Sequence, residues 1–293
     1  MLLTVATALL LSAAPALGGA TSGTGTSGTG IGTGISSGTG TTGTGTSGAG
    51  RTPSPPAFVV VLDPGHGGEK DGAITVEGRR EKDLVLQIAR LLKKRLERQG
   101  ARVVLTRSGD ESVELARRAA IANAEKADLF VSIHLNSAPG TSGTRARGVE
   151  TYFLSADATD ASATAVAARE NADRLAGEPE LDPADVVGGI LADLEDQANL
   201  SESSRLAQAI HGAVVKGTRA PDRGVKQAPF YVLAGARMPA VLVELGFVSH
   251  PVEGKELARS SRQDAIAGAI AAGVAAWRKG ATGVAASPTA AAP

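Results

Sequence analysis

Apolar residues recur along the middle of the chain in two patterns that alternate with each other. Unbroken apolar runs, such as FVVVL at 58–62, are typical of strands that are buried on both faces of a sheet. Longer stretches in which apolar residues return every three or four positions, such as 81–99, predict helices with one buried stripe. The predicted strands are 58–62, 103–106, 129–135, 148–154, 230–233 and 241–245, and the predicted helices are 81–99, 114–124, 203–215 and 263–278.

This alternation of strands and helices predicts an α/β fold in which a mixed, largely parallel sheet is sandwiched by helices. The alternating region covers residues 57–279, which is enough chain for a single domain with a substantial core. The segments on either side of it differ sharply in composition, so we expect them to lie outside this domain.

The first residues resemble an export signal. An apolar run at 2–11 is too short to span a bilayer comfortably, and small residues follow it at 16–18. We therefore predict a signal peptide at 1–18 and a mature protein outside the cytoplasm, without a transmembrane segment. Residues 19–56 are almost all Gly, Thr and Ser and predict a disordered linker, and the Ala-, Thr- and Pro-rich residues 280–293 predict a disordered tail.

Charge and cysteine content narrow the possible chemistry. The 30 basic and 30 acidic residues cancel formally, which gives no reason to expect nucleic acid as a partner. The chain has no cysteine, so disulfides and thiolate metal sites are excluded and any metal must be held by histidines and carboxylates. Of the four histidines, we expect His211 at the surface of a helix and His250 in a turn, which leaves His66 and His134.

Residues 155–200 stand apart from the rest of the domain by their charge. They contain eleven acidic and two basic side chains, a net charge of −9, so the remainder of the chain carries +9. We interpret the segment as an acidic insertion, helical in part, between a strand and the next core helix. Opposite net charges favour contact between this insertion and the basic body.

Three polar residues stand at or just past the ends of predicted buried strands. His66 lies in the motif DPGHGG, His134 lies near the end of its strand, and Glu244 follows the run VLV. Because the carboxyl ends of parallel strands meet at one edge of a sheet, we expect these side chains to lie close together. Glu81 adds a carboxylate on the buried stripe of the first helix, where it is costly unless it is paired or coordinated.

Two histidines and a glutamate form a common catalytic zinc set that leaves a fourth position for water. The pattern thus predicts a zinc centre at His66, Glu81 and His134, with Glu244 as the general base. Taken one at a time, each residue has a simpler explanation. His66 could be a turn residue that hydrogen-bonds to the backbone, and Glu81 could cap its helix. His134 could be a hydrogen-bonded histidine of the core, and Glu244 could form an ion pair at the end of its strand. Their convergence on one edge favours a catalytic centre.

The motifs that carry these residues also show a family resemblance. They are DPGHGG at 63–68, EK at 81–82, LTR at 105–107, SIHLN at 132–136 and VELGFVSHP at 243–251. In this order they resemble the zinc-dependent N-acetylmuramoyl-L-alanine amidases of the amidase-3 type, over about residues 58–277. The resemblance implies a mixed six-stranded sheet, zinc ligands at His66, Glu81 and His134, and Glu244 as the catalytic carboxylate.

The resemblance also implies a substrate, a location and a role. The substrate is peptidoglycan, cut at the amide bond between muramic acid and L-alanine during cell-wall remodelling or daughter-cell separation. The enzyme is expected to be a monomer, secreted across the inner membrane to the periplasm or the cell wall. Two alternatives stay open: a zinc peptidase that acts on the stem peptide, and a non-catalytic peptidoglycan-binding module, which would have lost at least one of these residues.

The acidic insertion at 155–200 has a counterpart in the same family. Some cell-division amidases carry a regulatory helix over the zinc, which an activator protein of the LytM-like type displaces, and residues 168–173 resemble part of it. The resemblance implies that the insertion closes the cleft of the resting enzyme. Glu170 is the residue that we expect at the open zinc position.

Overall fold

The computed structural model describes residues 58–140, 145–175 and 197–285. The predicted signal peptide, the whole of the predicted linker and much of the acidic insertion lie outside these ranges. Within them, no helix is both long and apolar enough to cross a membrane.

In chain order the elements are β1 (Val59–Pro64), α1 (Glu81–Arg98), β2 (Arg102–Leu105), α2 (Leu115–Ala124), β3 (Leu129–Asn136), β4 (Val149–Leu154), α3 (Ala161–Asn171), α4 (Gln197–Thr218), β5 (Asp222–Ala228), β6 (Ala240–Phe247), α5 (Glu253–Leu257) and α6 (Ser260–Ala285).

The strands form one six-stranded sheet in the order β2-β1-β3-β6-β4-β5. The first four strands run parallel to one another, β4 runs antiparallel to β6, and β5 runs parallel to β4. The predicted mixed, largely parallel sheet is therefore confirmed. This order places β1, β3 and β6 side by side at its centre, so that their carboxyl ends meet at one edge.

Apolar side chains of the central strands point alternately to two buried layers. Along β1, Val60 and Leu62 join the layer formed with α1, α4 and α6, whereas Val59 and Val61 join the layer formed with α2 and α3. Both faces of β1 are thus covered, which explains its unbroken apolar sequence. The last helix continues to Ala285, beyond residue 280 where the disordered tail was predicted to begin.

One predicted strand is wrong. Residues 230–233 form a turn, in which the amide of Leu233 donates to the carbonyl of Phe230, and the sixth strand is β5 instead. The apolar residues of the turn are buried in the layer that also contains α2 and α3, so the turn has the apolar composition of a buried strand. β5 has no apolar run because it is an edge strand, half-buried over most of its length.

His211 was predicted at the surface, and this is also wrong. Its side chain is only 6% exposed, with Nδ1 3.1 Å from Thr151 Oγ1 and Nε2 2.8 Å from Asp222 Oδ1. Helix α4 packs against both the sheet and α6, so more of its circumference is buried than a single apolar stripe indicates. His250 does lie in a turn, where its Nδ1 accepts hydrogen bonds from two backbone amides.

A buried ion pair supports the carboxyl end of β1. Asp63 is fully buried, and its carboxylate accepts from Arg118 Nη1 at 2.7 Å, Thr106 Oγ1 at 2.6 Å and Ser132 Oγ at 2.7 Å. Burial alone would raise the pKa of Asp63, but Arg118 and the two hydroxyl donors hold that pKa below its ordinary value. The pair therefore joins β1 to α2 directly beneath the DPGHGG loop.

Replacing Asp63 by alanine should leave the Arg118 guanidinium buried without its counter-charge. We expect Asp63→Ala to lower the free energy of unfolding by about 3–5 kcal/mol, measured by urea denaturation. The double variant Asp63→Leu/Arg118→Met removes both charges and should recover much of that loss. A loss below about 1 kcal/mol for the single variant would show that the pair does not support the fold.

Candidate active site

The loop that follows β1 holds His66 in an unusual backbone conformation. Its φ angle is +59°, in the left-handed region that residues with a side chain rarely adopt. Two buried guanidinium groups hold the loop from below: Arg118 Nη2 donates to the carbonyl of His66 at 2.9 Å, and Arg107 Nη2 donates to that of Gly65 at 2.8 Å. The imidazole is thereby directed over the edge of the sheet.

His134 and Glu81 meet His66 at this edge. Oε1 of Glu81 lies 3.1 Å from His66 Nε2 and 3.2 Å from His134 Nδ1, and the two rings are 4.8 Å apart between centroids. All three side chains are buried, with at most 6% of their surface exposed. The structure therefore brings together the three residues that the sequence predicted as ligands.

Backbone amides from outside helix α1 fix the carboxylate of Glu81. Oε1 accepts from the amide of Leu135 at 2.8 Å, and Oε2 accepts from the amide of Ala73 at 2.9 Å. The carboxylate thus belongs to the cluster of histidines and does not cap its own helix. These two hydrogen bonds leave Oε1 at a defined position between the imidazoles.

Two glycines leave the space that the rings occupy. A Cβ added to Gly65 would lie 2.2–2.7 Å from atoms of the His134 ring, which is closer than real contacts allow. At Gly72 an added Cβ would lie 2.5 Å from His66 Cδ2 and 2.7 Å from Glu81 Oε2, and its φ of +68° also favours glycine. The DPGHGG motif is therefore constrained by packing as well as by its turn.

Helix α3 brings a second carboxylate to the same point. Glu170 Oε2 lies 3.0 Å from His134 Nδ1 and 3.5 Å from His66 Nε2, and the side chain is 4% exposed. Just after the helix, Asp173 Oδ2 lies 2.9 Å from His66 Nδ1, the other nitrogen of that ring. Asp160 immediately precedes α3, and its side chain accepts from the amide of Ala163 at 2.7 Å and caps the helix.

The donor atoms fit a metal ion. Among the described residues, His66 Nε2, His134 Nδ1 and Glu170 Oε2 are buried and have no hydrogen-bond partner, and this group of side chains could hold a metal. The nitrogen–oxygen distances between the two rings and the carboxylates of Glu81 and Glu170 range from 3.0 to 3.5 Å. Ligands bonded at ~2.1 Å to a tetrahedral zinc ion lie about 3.4 Å apart, which matches this spacing.

The electrostatics of the cluster also favour a cation at this point. Burial lowers the pKa of His66, but Glu81 and Asp173 outweigh it and raise that pKa to about 10. Burial likewise opposes the charged form of His134, yet Glu170 and Glu81 hold its pKa well above the ordinary value. The carboxylates therefore stabilise positive charge between the two imidazole rings. Either protons or a divalent cation can supply that charge.

Glu244 lies beside this cluster, directly opposite His134 in the register of β3 and β6. It is fully buried; one oxygen, Oε1, lies 3.3 Å from Arg169 Nη2, and the other, Oε2, has no hydrogen-bond partner among the described residues. Burial, reinforced by the charge of Glu170, raises the pKa of Glu244 to about 8. A carboxyl group with such a pKa is suited to take up and release protons near neutral pH.

Arg169 is a site residue that the sequence reasoning missed. Its guanidinium also donates to Glu170 Oε1 at 3.0 Å, to the carbonyl of Ser137 at 2.8 Å and to Asn136 Oδ1 at 3.1 Å. It is one of only two basic residues in the acidic insertion and stands next to Glu170. A basic residue that is isolated in an acidic segment is the feature of the sequence that could have pointed to Arg169.

Comparison with known proteins agrees with this geometry. The sequence model of the N-acetylmuramoyl-L-alanine amidases, Amidase_3, matches residues 60–276. The chain belongs to this family. Among its relatives, amidase AmiA of Escherichia coli (strain K12) is 38% identical over 218 residues, which are 74% of each chain. Amidase AmiC of Neisseria meningitidis is 37% identical over 74% of this chain, but the match spans only 51% of AmiC.

Solved structures of the family share the fold. The crystal structure of an N-acetylmuramoyl-L-alanine amidase from Clostridium difficile 630 has a TM-score of 0.58 and 31% identity, and covers 76% of this chain and 97% of that one. The catalytic domain of CwlV from Paenibacillus polymyxa has a TM-score of 0.57 and 28% identity, and covers 75% and 98%. The predicted family, fold and enzyme class are therefore confirmed.

Because Gly65 makes room for the His134 ring, Gly65→Ala should displace that ring and weaken metal binding. We expect the folded variant to retain at least tenfold less metal than the wild type after dialysis, by analogy with lost support around metal ligands. Metal content per chain checks this, with circular dichroism to confirm folding. Gly212→Ala is the matched control, because an added Cβ there meets nothing within 4 Å. Equal metal content in both variants would contradict the steric argument.

Proposed function

We propose that the chain is a zinc-dependent hydrolase that cuts the amide bond between N-acetylmuramic acid and L-alanine in peptidoglycan. It would act outside the cytoplasm, in the periplasm or at the cell wall, during wall remodelling or separation of daughter cells. The observation that carries the proposal is the convergence of two imidazoles and the carboxylate of Glu81 on one buried point beside Glu244. Membership of the amidase family supports the choice of substrate.

The residues present would hold zinc through His66 Nε2, His134 Nδ1 and Glu81 Oε1. Without cysteine, this is the ligand chemistry that the chain offers, and it is common in catalytic zinc sites. When bound, the ion would act as a Lewis acid towards the scissile carbonyl and make a coordinated water more acidic. Glu170 Oε2 lies 3.0 Å from His134 Nδ1 and 3.5 Å from His66 Nε2, so Glu170 would supply a further ligand to the same ion.

Glu244 would move the proton that the reaction requires. As the oxygen of water bonds to the carbonyl carbon, Glu244 accepts its proton at Oε2, the oxygen without a partner. It then passes the proton to the nitrogen of L-alanine as the carbon–nitrogen bond breaks. The products are a muramic acid carboxylate and a stem peptide with a free amine.

Helix α3 would keep the enzyme inactive in the state described here. Glu170 Oε2 contacts both imidazoles and would fill the remaining ligand position, and Arg169 engages the carboxylate of Glu244, so neither group would be free to react. The helix is tied down by Lys226, 3.2 Å from Asp160, and by Asn171, which bonds the backbone at Pro229 and Tyr231. An activator protein, of the LytM-like type that the resemblance suggests, would expose the centre by displacing α3.

The central test is digestion of purified peptidoglycan by the mature protein and by Glu244→Gln. The substitution keeps the shape of the side chain but removes the proton acceptor, so we expect at least a ~100-fold loss of turnover with unchanged zinc content. A chelator should abolish wild-type activity, and added zinc should restore it. Mass spectrometry of the products identifies the bond that is cut.

Each outcome of this digestion has a definite meaning. Peptides with a free L-alanine amine and intact glycan strands support the amidase, whereas cuts within the stem peptide would identify a peptidase. Binding without any product, even after added zinc, would identify a non-catalytic module. Glu97→Gln, which changes an exposed carboxylate in the last turn of α1, controls for the loss of charge. If Glu244→Gln were as active as this control, the proton transfer assigned to Glu244 would be wrong.

The inhibitory role of α3 predicts a gain of activity. Glu170→Ala removes the carboxylate at the fourth ligand position and should raise the initial rate of hydrolysis by roughly tenfold or more, since a ~1.4 kcal/mol shift in the closed state suffices. The rate is measured by dye release from labelled sacculi. This substitution is preferable to deleting the helix, because Val166 and Ala167 are part of a buried apolar layer.

The matched control is Asp157→Ala, which removes one negative charge from the same segment at an exposed position. If inhibition depends on the contact of Glu170 with the histidines, this control should hydrolyse sacculi at the wild-type rate. Equal rates for Glu170→Ala and the wild type would reject autoinhibition by this residue. Equal gains in both variants would attribute the inhibition to net charge alone.

A further inference from the structure

A groove of about 480 Å³ runs alongside helix α3 at the edge of the candidate active site. We call it the Arg223 groove; its lining includes Asn136, Ser137, Val166, Arg169, Arg223 and Phe247. Arg169, one of the lining residues, lies 3.3 Å from Glu244 Oε1, so one side chain separates the groove from the proposed proton acceptor. A substrate bound at the scissile bond could therefore extend into it.

The charge of the groove favours an anion. Two guanidinium groups, those of Arg169 and Arg223, belong to the lining, and none of the lining residues that the structure describes carries a carboxylate. Ala146, another lining residue, stands between Arg145 and Arg147, which are both exposed. The carboxylates that pair with these two guanidinium groups, those of Glu150, Glu170 and Glu244, are buried and do not line the groove. An anionic group of the substrate would be attracted to this groove, and a cationic group would be repelled.

Arg223 is held in place by its surroundings. Its Nε donates to Glu150 Oε1 at 3.0 Å, its guanidinium carbon lies 5.0 Å from the centre of the Phe247 ring, and its stem packs against Gly148. A Cβ at Gly148 would lie 3.1 Å from Arg223 Cδ, so the glycine makes room for that stem. Within the described ranges, the terminal nitrogens Nη1 and Nη2 donate no hydrogen bond, which leaves them available to a ligand.

Glu150 connects this arginine to the reaction centre. It is fully buried and lies directly opposite Glu244 in the register of β4 and β6. Its other partners are Lys226 at 2.9 Å, Tyr152 at 2.9 Å and Asn136 at 2.8 Å. One buried side chain therefore separates Arg223 from the carboxylate that would accept the proton. A substrate group that is only a few bonds from the scissile amide would therefore come near Arg223.

We infer that Arg223 binds a carboxylate of the stem peptide and thereby selects the peptide that the enzyme accepts. The inference rests on the proposed function, because it concerns the substrate of that same site. A preorganised guanidinium binds a carboxylate through two parallel hydrogen bonds, which a neutral amide cannot reproduce. The second residue of the stem peptide is a D-glutamate joined through its side chain, so its α-carboxylate, free or amidated, lies close to the bond that is cut.

Arg223 belongs to β5, whereas Arg169 belongs to α3. Displacement of α3 would withdraw Arg169 from the groove and leave Arg223 in place. The positive charge that meets the peptide in the active enzyme would then be that of Arg223. For this reason Arg223, and not Arg169, is assigned the carboxylate.

Two muramoyl peptides that differ only at this position test the inference: one carries the free α-carboxylate and the other the amide. Arg223→Gln should raise KM for the free acid by roughly tenfold or more, which is the loss expected for a charge-assisted pair, and leave KM for the amide within about twofold. kcat should stay within about twofold for both. Arg223→Lys should fall between the wild type and Arg223→Gln for the free acid, because it keeps the charge but loses the paired hydrogen bonds.

The measurements use the full mature chain, as the wild type and as Glu170→Ala. Arg117→Gln, an exposed arginine of α2, controls for net charge, and the melting temperature of each variant controls for folding. A structural role through Glu150 would change KM equally for both peptides. Equal changes, or none, would overturn the inference while leaving the amidase intact.

A separate arm distinguishes this result from failure of the proposed function. If no variant hydrolyses either substrate, the amidase proposal fails. In that case, calorimetric titration of Glu170→Ala with the two free stem peptides still tests whether Arg223 binds the carboxylate. Tighter binding of the free acid that Arg223→Gln abolishes supports the inference. Equal binding of acid and amide would overturn it.

Discussion

The structure depends on how it balances carboxylates that are buried at one edge of the sheet. A buried ionised carboxylate costs several kcal/mol unless cations or hydrogen bonds surround it. Asp63 has Arg118, and Glu150 has Arg223 and Lys226, so these two are balanced within the protein. Glu170 is paired with Arg169 through Oε1 alone, and Glu81 has only backbone donors. Glu81 Oε1 and Glu170 Oε2 face imidazole nitrogens for which the described part of the chain offers no hydrogen-bond partner. This difference separates the structural carboxylates from those whose shared point requires an additional positive charge.

The arginine partners also determine which parts of the fold can move independently. The Asp63–Arg118 pair joins β1 to α2, and the Glu150–Arg223 pair joins β4 to β5, so both lie within the sheet and its supporting helix. The pair of Glu244 with Arg169 instead reaches to α3, a helix attached mainly by polar contacts near its ends and one apolar face. The environment of Glu244 therefore depends on the position of α3, while the framework that holds His66 and His134 does not.

The sequence predicted those parts of the fold whose signals are local. β1, β3 and β6 are buried on both faces, so each is an apolar run, and the polar residues that interrupt or follow these runs meet because the strands are parallel neighbours. β5 could not be found in this way, since an edge strand of polar, half-buried residues has no apolar pattern. The burial of His211 was missed because it depends on the packing of α4 against two neighbours, which helical periodicity does not reveal.

The residues around the centre were harder to predict because their partners are set by strand register. Glu150 is an ordinary polar residue in its strand until β4 pairs with β6 and places it opposite Glu244. The contacts of the acidic insertion were also hard to predict, although its charge is plain in the sequence. Its net charge of −9 indicates attraction to a basic body. Net charge acts over a whole surface, however, and does not determine which residues are in contact. One of the contacts that reaches Glu244 is made by Arg169, a residue of the opposite sign, and only the fold could identify it.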